Sequence, residues 1–405
     1  MFRPLEGLRI LDLSVLLPGA ACTHHFADYG ADVVKIEQPP VGDWIRSVPP
    51  IHDGLSLLHL VLDRNKRSIA LDLRGPEGRA ILHHMVRNAD AVVEVSRPGA
   101  MEQLGADYAS LCRINERIVY LSLTGFGQGS TYAGLPTHGA NLAAFAGVAS
   151  ATPDENGDLR HSALPWGRYR IPLEEAALHG AFALLAAIRE RDRTGTGRHL
   201  DFALVHALML GDGAAMTDVM NRATLFWENW QQPAAKNGCY EARDGKILGV
   251  CPIEKRFWKR FCELIGREDL VNAGDWSTGE VDLSNASPAL YREVQAALRN
   301  RPRQEWLDLF REHRIPSAPL NTLEEAISDP ELGGKVVVET AHPMTGRPVK
   351  AFAPPVQDPP RSFAATPAPA LGEHSLEVLR EYGVGADLIE AALASESLGQ
   401  VISSA

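Results

Sequence analysis

The chain has 405 residues, of which 45% are hydrophobic, and a formal net charge of −11. That length and apolar content suffice for a large core and two domains, and the acidic balance excludes nucleic acid or an anionic membrane surface as the main partner. Five cysteines (Cys22, Cys112, Cys239, Cys251, Cys262) form no C-x-x-C pair and read as reduced thiols, and Arg3, Glu6 and Arg9 interrupt any signal-peptide core, so a cytoplasmic location is expected.

Residues 9–14 predict a first strand broken by Pro18 and Gly19, residues 20–29 a helix capped by Gly30, and residues 31–37 a second strand. This order is a βαβ unit, whose first turn faces a ligand. The turn carries neither G-x-G-x-x-G nor G-x-x-x-x-G-K-[ST], so both common phosphate-binding fingerprints are absent from it. Strands at 68–73, 91–96 and 118–124 alternate with helices at 76–88 and 174–191, which predicts a parallel sheet with helices on both faces. From about residue 226 the pattern changes to a short strand at 246–250 and amphipathic helices at 252–265, 288–298 and 303–313, a smaller helix-rich domain. Pro354, Pro355, Pro359 and Pro360 lead into ATPAPA, an extended connector. The weakly polar stretches at 140–151 and 176–188 are too short to span a bilayer. No Cys/His/Asp cluster has metal spacing; His83 and His84 ride on a helix whose apolar face is Ile81, Leu82, Met85 and Val86, and read as surface or packing residues.

Beyond the first βαβ unit, the ordered run GDWIR (42–46), NKRSIALDL (65–73), PEGR (76–79), RPGAMEQLG (97–105), SLTGFG (122–127), RTGTGRHLDFAL (193–204), RIPSAPLNTLEEAISDPEL (314–332) and LGEHSLEVLREYG (371–383) resembles the class III CoA-transferase family of the CaiB/BaiF type. That family contains formyl-CoA transferase, carnitine CoA-transferase and the α-methylacyl-CoA racemases. The resemblance implies an α/β fold: a large Rossmann-like domain with a parallel sheet, opened by residues 1–222 and completed by a return segment at 331–405. A smaller α+β domain at 223–330 would interrupt it, and two subunits would interlock as a homodimer. It also implies acyl-CoA and carboxylic acid substrates, with coenzyme A as substrate and no separate cofactor.

Coenzyme A phosphates call for Arg and Lys contacts, and the thioester would enter between the large and small domains. The family frame puts these contacts at Val15, Leu16 and Leu17 in the first turn, at Arg64, Asn65, Lys66 and Arg67, at Ser96 and Arg97, and near the end of the Lys35 strand. Taken alone, the basic run 64–67 is a solvated turn before a strand. Two positions depart from formyl-CoA transferase, which has Arg where this chain has Gln38 and Gln103; Arg97, shared with racemase-like members, offsets part of that.

In the family's transferases an Asp at a helix start attacks the acyl-CoA, and the matching position here is Leu173. Glu174 and Glu175 follow directly and are candidates for the nucleophile, although two acids after Pro172 also suit a helix's first turn with no catalytic role. Resemblance to the racemase branch places His138, in THGAN, and Glu254, in CPIEKRFW, as a proton-exchanging pair, with Gly139 where that branch has Asp. The bland alternatives are a loop histidine and an ordinary first-turn acid. Trp227 and Trp230 are candidates for the acyl pocket or the core, the bulky text at 166–171 suggests a reshaped acyl site, and His374 organises the C-terminal turn. Three readings stay open: CoA transfer, α-proton chemistry on an acyl-CoA, and CoA-thioester binding without chemistry.

Overall fold

The computed structural model describes residues 2–149, 151–161, 170–211, 213–222, 234–276, 279–282, 288–356, 363 and 365–399. Trp227, Trp230, Pro359, Pro360 and residues 166–169 lie outside the described residues. The chain forms two compact units, one made of Met1–Gly213 with Val336–Ala405 and the other of Ala214–Lys335.

The first unit is built on six strands: β1 (Arg9–Asp12), β2 (Asp32–Glu37), β3 (Arg67–Ala70), β4 (Ala91–Glu94), β5 (Val119–Thr124) and β6 (His199–Ala203). They lie in the order β6-β5-β4-β1-β2-β3, and every pair is parallel. Strands buried on both faces read as runs of Val, Ile and Leu, and β4 and β5 are buried along their whole length. On one face pack α1 (Leu16–Asp28) and the long α5 (Arg170–Thr194), sharing a core with Ile10, Val33, Val93 and Leu121. On the other lies α3 (Pro76–Val86), joined from the far end of the chain by α10 (Ser375–Glu381) and α11 (Ala386–Ala394), over Leu11, Val34, Ile69 and Val92. This unit also has two short helices, α2 (Leu57–Leu62) and α4 (Gly139–Phe145), and α6 (Leu204–Gly211) after β6. The tail then closes the sheet edge: Gly399 N donates to Ala70 O at 2.8 Å and Asp72 N to Ser397 O at 2.7 Å.

One difference from the sequence reading bears on the site. α1 begins at Leu16, so Pro18 and Gly19 lie inside its first turn instead of ending a strand before it. First-turn N–H groups have no intrahelical partner, so Pro costs nothing there, and a Cβ at Gly19 would overlap the Ser14 side chain. Glycine is what lets β1 run directly into the helix.

The second unit has a three-stranded antiparallel sheet of β7 (Gly238–Glu241), β8 (Ile247–Val250) and β9 (Ser317–Pro319). Helices α7 (Lys255–Leu264), α8 (Pro288–Leu298) and α9 (Arg303–Glu312) enclose with it a core rich in aromatics, with Tyr240, Trp258, Phe261, Trp306 and Phe310 buried. Among the described residues no helix is long and apolar enough to cross a membrane, and no group of three His, Cys, Asp or Glu could hold a metal ion.

Candidate active site

A parallel sheet gathers its ligand-facing turns at the carboxyl ends of the strands. There the first unit has a cavity of about 280 Å³, walled by the β1–α1 turn (Val15, Leu16, Leu17, Pro18), by Ile45, Val48 and Leu58, by Val95 and Leu123 beyond β4 and in β5, by Thr137, His138, Gly139 and Leu142 at α4, and by Leu173 of α5 and Leu204.

The turn is under strain. Leu16 has φ 61°, a left-handed conformation that costs a residue with a Cβ roughly 1–3 kcal/mol unless its surroundings hold it. They do hold it: Leu16 N donates to Asp43 Oδ1 at 2.9 Å, and the same oxygen accepts from Ile45 N at 2.9 Å. Asp43 Oδ2 is paired with Lys35 Nζ at 2.8 Å, and Lys35 also donates to Ser14 O at 3.2 Å. Lys66 Nζ, equally buried, lies 3.1 Å from Asp12 Oδ2 and 2.8 Å from Asp63 Oδ1, and His59 Nδ1 sits 2.8 Å from Asp63 Oδ2. Arg46 closes the group on Glu37 with two contacts of 2.7 Å. Burial alone would raise the carboxyl pKa values here, but Lys35 and Lys66 outweigh it and hold Asp12 below the usual range, while Lys66 and Lys35 hold Asp63 well below it. Glu37 is lowered too, burial being overcome by Arg46. Lys35 is raised: burial disfavours its charge, and Asp63, Asp12 and Asp43 more than restore it.

Of the nine residues expected at coenzyme A, Val15, Leu16 and Leu17 line the cavity, and Ser96 and Arg97 follow Val95 at the same edge of the sheet. The basic run lies elsewhere. Arg64 is buried and donates to Asp28 at 2.5 and 3.2 Å, and Asn65 bonds Asp28 at 2.9 Å. Lys66 belongs to the cluster behind the turn, and Arg67 pairs with Asp32 at 2.8 Å and Glu381 at 2.6 Å at the amino ends of β3 and β2. Their charges are engaged within the protein. The sequence reading missed Arg74. It is exposed beyond β3, fixed by Asp72 (Nη2 to Oδ2 2.6 Å), and its guanidinium meets Gln38, whose amide oxygen accepts at 2.8 and 3.2 Å when turned toward it. The D-x-R spacing of Asp72 and Arg74, two residues apart after a strand, was the available signal. A positive charge therefore stands beside Gln38, from the turn that follows the neighbouring strand β3.

The carboxylate candidates separate by helix phase. Leu173, Ala176, Ala177, Ala181, Leu184 and Ile188 of α5 are buried at helical spacing, and Leu173 faces the cavity. Each helical residue turns by about 100°, so Glu174 and Glu175 point away from that face. Glu174 is half-buried and Glu175 exposed, with the Glu175 carboxylate lying over Gly211 at the end of α6; neither lines the cavity. Moving α5 by one residue to bring in a glutamate would turn its whole buried face out of the core. His138 does line the cavity, as the residue before α4, with its N–H donating to Asn141 Oδ1 at 3.2 Å. Glu254 belongs to the second unit, where it precedes α7 and bridges Val281. His374 precedes α10, and its Nδ1 accepts from Ser68 N at 3.3 Å, a structural link.

Residues 5–375 match the family described as CoA-transferase family III. The chain belongs to that family. Among its curated relatives, formyl-CoA:oxalate CoA-transferase of Streptomyces avermitilis is 31% identical over 95% of this chain and 97% of its own length. Succinyl-CoA:glutarate CoA-transferase of Mus musculus is 29% identical over 94% of this chain and 86% of its own. A CAIB/BAIF family protein from Brucella suis has the same fold, with a TM-score of 0.75 at 23% identity, covering 94% of this chain and 100% of that one.

Proposed function

We propose that this member of CoA-transferase family III moves coenzyme A between an acyl-CoA thioester and a carboxylic acid. Supporting this is the cavity where the β1–α1 turn, His138 and Leu173 meet at the carboxyl edge of the sheet. The acyl group enters the cavity, and the coenzyme A phosphates run along the edge past Arg74, Gln38 and Arg97. With Leu173 in the wall and Glu174 and Glu175 turned away, no carboxylate among the described residues lines the cavity, and the nucleophile in this reading is the acceptor acid's own carboxylate. It attacks the thioester carbonyl, the C–S bond breaks, and a mixed anhydride and the CoA thiolate form. The thiolate then attacks the acceptor acyl carbon, giving acceptor acyl-CoA and the donor acid. The Leu17 to Gly19 region begins a helix, and the positive end of α1 suits the thiolate released beside it.

A second reading, proton exchange α to the thioester by His138, has one observation in its favour: among the described residues lining the cavity, His138 is the titratable one. We place the enzyme in a homodimer, because Leu178, Phe182 and Leu185 form an exposed apolar stripe at helical spacing on α5 that a second subunit would cover.

The test is a single turnover with enzyme in excess over a donor acyl-CoA, supplied with acceptor acid labelled with 18O in both oxygens. Transfer by the acceptor's carboxylate puts one 18O into the donor acid at once and leaves the protein mass unchanged. A hydroxylamine-sensitive protein adduct would move the nucleophile to Glu174 or Glu175, and deuterium uptake at Cα without an acceptor would favour the His138 reading. Binding with none of these signals would leave a thioester-binding protein.

A further inference from the structure

The cavity wall says more about the acyl group than family membership does. Apart from Thr137 and His138, every described residue on it is aliphatic, proline or glycine, and no Arg or Lys among the described residues lines it. The charges attached to the turn from behind, Lys35 and Asp43, neutralise each other at 2.8 Å and are fully buried. A second carboxylate on the acyl chain would lose its water here and meet no Arg or Lys among the described residues, with the His138 ring as the one side chain able to carry a positive charge. The volume of about 280 Å³ is at the lower end of small-molecule pockets, which favours a short chain.

One pair shapes the floor. A Cβ placed on Gly139 would fall 2.5 Å from Leu173 Cδ1 and 3.2 Å from its Cγ, so a larger residue at 139 would push the leucine side chain out of its place on the cavity wall. Leu173 and Gly139 form a matched apolar surface directly beside His138.

We infer that this cavity selects short, uncharged aliphatic acyl groups over dicarboxylic ones, with Leu173 and Gly139 acting together as the specificity-determining pair. The inference rests on the proposed acyl-CoA reading and names its substrate class. The side chains that would grip the acyl chain are Leu16, Val95, Leu142, Leu173 and Leu204.

Calorimetric titration of the full chain with isobutyryl-CoA, succinyl-CoA, lauroyl-CoA and free CoA tests it. Isobutyryl-CoA is expected to bind about 100-fold or more tighter than succinyl-CoA, because the succinyl carboxylate is buried unpaired. It is also expected to bind tighter than lauroyl-CoA, whose chain exceeds the cavity. Gly139→Ala should weaken isobutyryl-CoA about tenfold through overpacking, with free CoA unchanged, and adding Leu173→Val should restore it. Equal or tighter binding of succinyl-CoA overturns the inference while the acyl-CoA reading stands, and so does a Gly139→Ala loss shared by free CoA. If neither free CoA nor any ester binds, the acyl-CoA reading itself falls and takes the inference with it. Where Gly139→Ala does not fold, the wild-type comparison decides.

Discussion

The β1–α1 turn has two sides of opposite chemistry. Toward the cavity it presents Val15, Leu16 and Leu17; toward the interior its Leu16 N–H and Ser14 carbonyl engage Asp43 and Lys35, within a group of at least seven buried or nearly buried charged side chains. The contrast shows how an apolar wall can be shaped by polar bonds behind it. Aliphatic side chains have no directional contacts that could fix a left-handed leucine, whereas an ionised aspartate accepting two N–H bonds does.

The largest expected effect comes from breaking the polar side. Lys66→Met leaves Asp12 and Asp63 buried without that cation and should cost about 3–5 kcal/mol, read as a lower urea midpoint. A loss below about 1 kcal/mol would mean the cluster does not hold the turn.

Acid sharpens the same comparison without a mutation. Asp12, Glu37 and Asp63 have folded pKa values below those of the unfolded chain, so their contribution is fully present above the ordinary carboxylate range and is lost as pH falls through the folded values, below about pH 4. Urea midpoints taken from pH 7 to pH 3 should fall steeply only at the acid end, and Lys66→Met should blunt that fall. A midpoint flat down to pH 3 would count against the cluster.

The smallest effect is the most diagnostic. Leu16→Gly relieves the left-handed strain, so thermal stability should hold or rise by up to about 1 kcal/mol, while isobutyryl-CoA affinity drops with the lost side chain. If stability falls by more than about 1 kcal/mol, the packing of Leu16 outweighs its strain.

The sheet was legible because its strands are apolar runs separated by amphipathic helices, and the first βαβ unit followed from that, while the family came from the resemblance of its ordered motifs. Val15 to Leu17 were placed in the first turn by the family frame and His138 by resemblance to the racemase branch, and all four line the cavity. The fate of the basic run could not be read from the sequence. Arg64, Lys66 and Arg67 are neutralised by Asp28, Asp12 and Asp32, residues far away in the sequence, and such pairings exist only once the sheet has formed. Leu173 lies between these cases. The alanine and leucine spacing of α5 already shows which direction is buried, and it turns Glu174 and Glu175 away once the helix phase is followed.

The edge of the sheet is finished by residues 397–399, and α10 and α11 cover one of its faces. Synthesis therefore delivers the large unit in two instalments. The second unit, continuous from Ala214 to Lys335, can close its own core while the ribosome is still working, but Leu11, Val34 and Ile69 wait for Val378, Leu379 and Leu398. At about 5–20 residues per second that interval is roughly fifteen to sixty-five seconds. During it, the β3 edge lacks its 397–399 partner and the apolar face beneath α3 lacks the cover of α10 and α11.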